Sequence, residues 1–212
     1  MTPLATFASA VRTLPLVAIL RGLRPDEAVA VGTALVSTGW QLIEVPLNSP
    51  QPLDSIAALT AALPNTLIGA GTVLTVADVQ RVHAAGGRLI VSPNFNPEVV
   101  RETVRLGMVS LPGVITPSEA FAALQAGASG LKLFPAEQIS PAVVKALRAV
   151  LSASTLLLPV GGIGLRNMGA WQAAGASGFG IGSALYKPGM SAAEVEANAI
   201  EFIAAYASQI ST

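Results

Sequence analysis

The sequence predicts an α/β protein, a single-domain (β/α)8 barrel with an additional N-terminal helix. Eight short apolar runs alternate with helical segments, and each run is hydrophobic almost throughout, as expected for parallel strands covered by helices. Glycine precedes most of these runs by two to four residues, where a helix that ends in the left-handed conformation requires it. Eight units in 212 residues average about 26 residues each, near the short end of the barrel range.

The predicted strands follow one another at regular intervals. They cover residues 16–20, 42–46, 67–71, 89–92, 109–112, 130–134, 156–160 and 178–182. Pro25, Pro117 and Pro141 open helices between them, since proline suits the first helical turn. Because no linker or low-complexity stretch interrupts the pattern, residues 1–212 are predicted to form one domain. A doubly wound open sheet is the alternative, although no Gly-x-Gly-x-x-Gly motif follows the first strand.

Composition excludes several classes of function. Twelve Lys and Arg residues balance twelve Asp and Glu residues, so no basic surplus favours nucleic acid or an anionic membrane surface as a partner. The chain has no Cys and one His, which excludes disulfides and thiolate nucleophiles and disfavours structural zinc and serine triads. The longest uncharged run, 55–77, is broken by proline and glycine. With no recognisable signal peptide, we expect a cytoplasmic protein.

Three charged residues stand within or at the end of predicted strands. Arg21 ends the first strand, Glu44 lies within the second and Lys132 lies within the sixth. A desolvated lysine has a lowered pKa and can attack a carbonyl carbon, and a neighbouring carboxylate can then transfer protons. Arg21 could bind a substrate carboxylate through two parallel hydrogen bonds. Three structural alternatives remain open: an outward-facing lysine, a buried Glu44–Lys132 ion pair and a surface ion pair for Arg21.

Glycines and hydroxyl groups occupy other strand ends. Gly161 and Gly162 follow the seventh strand, and Gly182 and Ser183 follow the eighth, where barrels commonly bind phosphate through backbone amides. Glycine turns without any ligand are the alternative for each pair. Thr72, after the third strand, could bind substrate or cap the next helix. The sequence predicts no metal site, because it shows no cluster of carboxylates and histidines, and no cofactor.

Six segments in this order resemble one known family over almost the whole chain. They are VAILRG at 17–22, IEVPLNSP at 43–50, GAGTVL at 69–74, SPN at 92–94, LKLFP at 131–135 and VGG at 160–162. The chain resembles the small class I, pyruvate-forming aldolases that act on 2-keto-3-deoxy-6-phospho sugar acids. The resemblance implies that Lys132 forms the Schiff base, that Glu44 is the general acid/base and that the glycine loops bind phosphate. It also implies a homotrimer.

Two positions distinguish types within that family. Gluconate-type enzymes carry Arg after the motif of the second strand and Thr before the paired glycines, whereas this chain carries Asn48 and Val160. At both positions the chain resembles the galactonate-type enzymes, which form pyruvate and glyceraldehyde 3-phosphate. We therefore expect a C4-epimer preference different from that of the gluconate-type enzymes. A gluconate-type aldolase remains an alternative. So do a phosphosugar isomerase or epimerase with Glu44 as base, and a non-catalytic sensor of phosphorylated metabolites.

Overall fold

The computed structural model describes residues 1–208, so the last four residues of the predicted domain lie outside the described part. The strands are β1 Leu16–Ile19, β2 Leu42–Pro46, β3 Leu67–Gly71, β4 Leu89–Val91, β5 Val109–Leu111, β6 Gly113–Val114, β7 Leu131–Leu133, β8 Leu157–Pro159 and β9 Phe179–Ile181. The helices are α1 Pro3–Thr13, α2 Pro25–Ser37, α3 Pro52–Ala62, α4 Val76–Ala84, α5 Pro97–Arg105, α6 Pro117–Gln125, α7 Pro141–Arg148, α8 Met168–Ala173 and α9 Ala192–Ser208.

Two parallel sheets form the centre of the fold. The larger sheet is curled and has the order β5-β4-β3-β2-β1-β9, and the smaller has the order β6-β7-β8. Pro112 separates β5 from β6, because proline has no N–H to continue a ladder; the chain nevertheless runs directly from one sheet to the other. On the other side, a bridge between Val160 and Gly180 connects the two sheets.

The sheet interior holds an apolar layer with a helix at one end. Strand side chains alternate between the interior and the helices. Val17, Leu42 and Leu158 belong to the interior cluster, which also includes Phe7 and Ala10 of α1. The remaining core fills the space between strands and helices. Helix α1 begins where the Thr2 side chain accepts a hydrogen bond from the backbone N–H of Ala5, and it precedes the first strand.

Several predicted helix starts coincide with the observed ones. Pro25, Pro117 and Pro141 are the first residues of α2, α6 and α7. Thr116 caps α6 by accepting from the backbone N–H of Glu119, whose carboxylate accepts from the backbone N–H of Thr116 in return. Across residues 1–208, none of the helices has both the length and the apolar character needed to cross a bilayer.

Candidate active site

Glu44 and Lys132 both face the interior of the curled sheets. Glu44 lies two residues after Leu42 on β2, and Lys132 is in register with Leu158; both leucines belong to the interior cluster. Since residues two apart on a strand, and residues in register on parallel neighbours, share a face, the carboxylate and the ammonium point to the same side. Glu44 is 1 % exposed and Lys132 is 6 % exposed.

Burial shifts the pKa of Glu44. Loss of solvation raises the pKa of its carboxyl from 4.5 to about 7, although the positive charges of Lys132 and Arg21 act in the opposite direction. Its Oε2 atom is buried and has no hydrogen-bond partner among the described residues. A carboxyl with a pKa near 7 can both accept and donate a proton at neutral pH.

Gly71 makes room for that carboxylate. A Cβ atom at position 71 would overlap both oxygens of Glu44. Gly71 is paired with Pro46 in the β2–β3 ladder, so its backbone lies against the side chain two residues earlier on β2. Glycine at position 71 is therefore required by the buried acid, a role that the local sequence pattern does not reveal.

Lys132 lies in an apolar environment beside an aromatic ring. Burial lowers the pKa of its amine, and the positive charge of Arg21 lowers it as well, while the negative charge of Glu44 raises it. The Nζ atom lies 4.5 Å from the centroid of the Phe134 ring. The outward-facing alternative for Lys132 is wrong, because an outward lysine would keep its ammonium in water.

None of the ion pairs among residues 1–208 includes Glu44 or Lys132. The two groups therefore affect each other through their charges across the interior rather than through a direct contact. The buried ion pair considered for them is not formed in this structure. An amine without a bonded counter-charge loses its proton more readily, which suits a nucleophile.

Arg21 lies in the turn after β1 and is exposed. Its Nη1 donates to the Oδ1 of Asn48 at 3.3 Å, and the next residue, Gly22, donates its backbone N–H to the Oγ of Ser49 at 2.9 Å. These two bonds hold the turn after β1 against the turn after β2. The surface ion pair considered for Arg21 is not formed, because Arg21 donates to a neutral amide rather than to a carboxylate. Its positive charge therefore remains available to a ligand.

A cavity of about 310 Å³ lies beside this turn. Six predicted site residues line it: Arg21, Val160, Gly161, Gly162, Gly182 and Ser183. Phe134, whose ring lies beside the Lys132 amine, also lines it. Neither Lys132 nor Glu44 is among the lining residues, so the Phe134 ring, with its centroid 4.5 Å from the Lys132 Nζ, is the contact that relates the cavity to the buried amine.

Both paired glycines have backbone conformations that favour glycine, with φ of +106° at Gly161 and +63° at Gly162. A Cβ atom at Gly161 would overlap the Oε2 of Glu137, and one at Gly162 would lie 2.7 Å from the Cγ of Glu137. The side chain of Glu137, from a short 3-10 turn at Ala136–Gln138, thus lies against the glycine loop. A carboxylate at this place was not predicted.

Thr72 follows β3 in a left-handed conformation, with φ of +57°. Such a backbone is uncommon for a β-branched residue and occurs mainly at constrained or functional positions. The capping alternative for Thr72 is wrong, because α4 begins at Val76 and its N-cap is Thr75, whose side chain accepts from the backbone N–H of Asp78 at 3.1 Å. Thr72 is half-buried and is not among the residues that line the cavity.

The structure therefore groups the predicted residues in two layers. Glu44 and Lys132 form the buried layer; Arg21, with Asn48 bound to it, and the glycine loops form the layer around the cavity. Sequence reasoning missed Glu137 and Lys187, which also line the cavity. Lys187 is one of three lysines and lies four residues beyond Ser183. Its position shortly after the last predicted strand could have indicated it as a candidate site residue. No group of three His, Cys, Asp or Glu side chains suited to a metal occurs within residues 1–208.

The chain is similar to known proteins in both sequence and fold. The model of the family described as "Aldolase: KDPG and KHG aldolase" matches residues 7–203. A probable 2-dehydro-3-deoxy-6-phosphogalactonate aldolase of Rhizobium meliloti is 53 % identical over 91 % of each chain. The Escherichia coli protein named 2-dehydro-3-deoxy-6-phosphogalactonate aldolase is 45 % identical over 91 % of this chain and 95 % of its own.

Among solved structures, one described as "Native KDPGal structure" has a TM-score of 0.92 and 44 % identity, covering 94 % of this chain and 97 % of the other. At this level of identity and coverage, the likeness extends from the fold to the sequence. From the family match and these relatives, we conclude that the chain belongs to the KDPG and KHG aldolase family.

Proposed function

We propose that this chain, an aldehyde-lyase of the class I type, reversibly cleaves 2-dehydro-3-deoxy-6-phosphogalactonate into pyruvate and glyceraldehyde 3-phosphate. The observation that carries the proposal is the pair of buried groups, Lys132 with a lowered pKa and Glu44 with a raised one, on the interior face of the sheets. The names of the two relatives support this substrate.

Lys132 is proposed as the nucleophile. Its neutral amine attacks the C2 carbonyl carbon to give a carbinolamine, which loses water to form an iminium ion. The iminium accepts the electron pair of the C3–C4 bond as that bond breaks, and an enamine and an aldehyde result. Protonation of the enamine at C3 and hydrolysis of the iminium release pyruvate and restore the amine.

Glu44 is proposed as the proton carrier. In the cleavage direction its carboxylate takes the proton of the C4 hydroxyl, through a water molecule, as the C3–C4 bond breaks. The same group, once protonated, returns a proton in a later step. A pKa of about 7 supports both roles, because neither protonation state is strongly disfavoured at neutral pH.

The remaining predicted residues are proposed to bind the two ends of the substrate. Arg21 and Thr72 orient the pyruvyl end, with Arg21 bound to its carboxylate. Four further residues bind the 6-phosphate through backbone amides and one hydroxyl group: Gly161, Gly162, Gly182 and Ser183. Their common position around one cavity with Arg21 supports this division.

Asn48 and Val160 are proposed to select the C4 epimer. Asn48 accepts the hydrogen bond from Arg21, so the carboxylate-binding arginine comes from the first strand end. Val160 lines the cavity and offers no hydroxyl to the substrate. The gluconate epimer is the second candidate substrate, and cleavage of the two pure C4 epimers by the purified protein separates the possibilities. Preferential cleavage of the gluconate epimer would refute the assignment.

Reduction with borohydride in the presence of pyruvate tests the mechanism. We expect Lys132 to gain the mass of one reduced pyruvate adduct, detected by peptide mass spectrometry, and Lys132→Ala to lose both the adduct and cleavage activity. Lys145→Ala, which changes an exposed lysine of α7, is the matched control and should retain both. An isomerase or epimerase that uses Glu44 as a base, or a non-catalytic sensor, would give no adduct at Lys132.

We further propose that residues 1–212 form one domain in which the two sheets act as a single closed eight-stranded barrel. Support comes from the gap of one residue, Pro112, between β5 and β6, and from the bridge between Val160 and Gly180. A homotrimer is proposed from the family resemblance, with exposed apolar side chains such as Phe121 as candidate contacts. Sedimentation equilibrium measures this directly, and a monomer would contradict it.

A further inference from the structure

Charge is unevenly distributed around the cavity. Its charged lining residues are Arg21, Glu137 and Lys187. Arg21 is bound to Asn48, on the side proposed for the pyruvyl carboxylate. Glu137 lies against Gly161 and Gly162, so it places a negative charge where the substrate phosphate is proposed to bind. A cation near this site would offset the repulsion between that carboxylate and a phosphate group with a charge near −2.

Lys187 is the cation of the cavity that the proposed mechanism leaves unused. It follows the buried Tyr186 and is itself exposed. None of the ion pairs formed within residues 1–208 includes Lys187. Its ammonium is therefore free to meet an anion that enters the cavity.

The loop that carries Lys187 is firmly attached on both sides. The Tyr186 hydroxyl donates to the Oε1 of Glu27 at 2.8 Å, which attaches the loop to α2. A Cβ atom at Gly22 would lie 2.6 Å from the Cγ of Pro188, so Pro188 packs directly on the turn that follows Arg21. Because both neighbours of Lys187 contact other parts of the fold, its backbone is positioned beside the cavity.

We propose that Lys187 binds the phosphate group of the substrate and sets the preference for phosphorylated over unphosphorylated substrates. This inference rests on the proposed function and extends it, since backbone amides alone provide dipoles but no full positive charge. Lys187 balances the carboxylate of Glu137, which would otherwise repel the phosphate. It takes no part in Schiff-base formation at Lys132.

The test compares Lys187→Met with Lys187→Arg and with Lys145→Met, which removes the same charge from an exposed site in α7. In the synthesis direction with pyruvate, we expect Lys187→Met to raise the KM for glyceraldehyde 3-phosphate about tenfold at low salt. The KM for unphosphorylated glyceraldehyde should stay unchanged. Added salt should weaken binding of the phosphorylated aldehyde in the wild type and much less in Lys187→Met.

A second measurement is independent of catalysis. Calorimetric titration with inorganic phosphate should show weaker binding to Lys187→Met than to the wild type, Lys187→Arg or Lys145→Met. Equal losses for both aldehydes, or phosphate binding unaltered in Lys187→Met, would overturn the inference. Pyruvate trapping at Lys132 in each variant separates the two proposals: absence of trapping in the wild type refutes the aldolase mechanism, whereas the phosphate titration decides the role of Lys187 in either case.

Discussion

Replacing Glu44 with Gln tests the buried carboxylate through stability rather than activity. The pKa of Glu44 is 4.5 in an unfolded chain and about 7 in the folded protein. A carboxyl with a raised folded-state pKa binds more protons when folded, so its contribution to stability is complete below about pH 4.5 and is lost as pH rises through 7. Gln cannot ionise, so the variant does not suffer this loss.

The expected magnitude follows from the same two pKa values. At about 1.4 kcal/mol per pKa unit, ionising Glu44 in its buried site costs the folded wild type about 3 kcal/mol above pH 8. Because about a quarter of this cost is already present at pH 5, Glu44→Gln should gain about 2.5 kcal/mol of unfolding free energy relative to the wild type between pH 5 and pH 8.5. For a chain of this length, that gain corresponds to roughly 5 to 10 °C in Tm.

Urea unfolding followed by circular dichroism at pH 5.0 and 8.5 measures this difference. The decisive quantity is the change in the stability difference between variant and wild type from one pH to the other. Any loss of stability caused by an unpaired Gln amide is the same at both pH values and cancels. Glu119→Gln is a control that should show little change between these two pH values: backbone hydrogen bonds at the start of α6 lower the pKa of the Glu119 carboxyl, so its contribution to stability is lost only as pH falls below about 4.5. A stability difference between Glu44→Gln and wild type that does not change with pH would refute the reasoning.

Three further outcomes are expected. Gly71→Ala should lower turnover at least 100-fold because the added Cβ overlaps the Glu44 carboxylate. The control Gly164→Ala should retain turnover, since a Cβ there meets nothing within 4 Å. Equal effects of the two substitutions on turnover would contradict the assigned role of Gly71. The pH profile of kcat/KM should rise with a midpoint near 7, since in its proposed role Glu44 must be deprotonated to take the C4 proton; a flat profile from pH 5 to 8 would exclude that role. Val160→Thr should raise cleavage of the gluconate epimer relative to the galactonate epimer about tenfold, and an unchanged ratio measured with pure epimers would remove Val160 from the specificity assignment.

Local pattern was sufficient to locate the strands and the two buried groups. The observed strands lie within the predicted runs or extend one of them by two residues, because apolar runs bounded by glycine and proline depend on interactions close in the chain. In such runs any charged residue is conspicuous, which is why the sequence alone singles out Glu44 and Lys132. The break at Pro112 was not foreseen, although proline removes the N–H that a continuous ladder requires.

The sequence by itself determined that this protein has parallel strands with a lysine and a glutamate inside them, and its ordered motifs indicated the aldolase family. Only the tertiary structure decided that both side chains face the same interior, that Gly71 leaves space for the Glu44 carboxylate and that Glu137 and Lys187 border one cavity. Those relations join residues far apart in the chain. They depend on strand register and on how loops pack on one another, and a periodicity or a single motif contains neither.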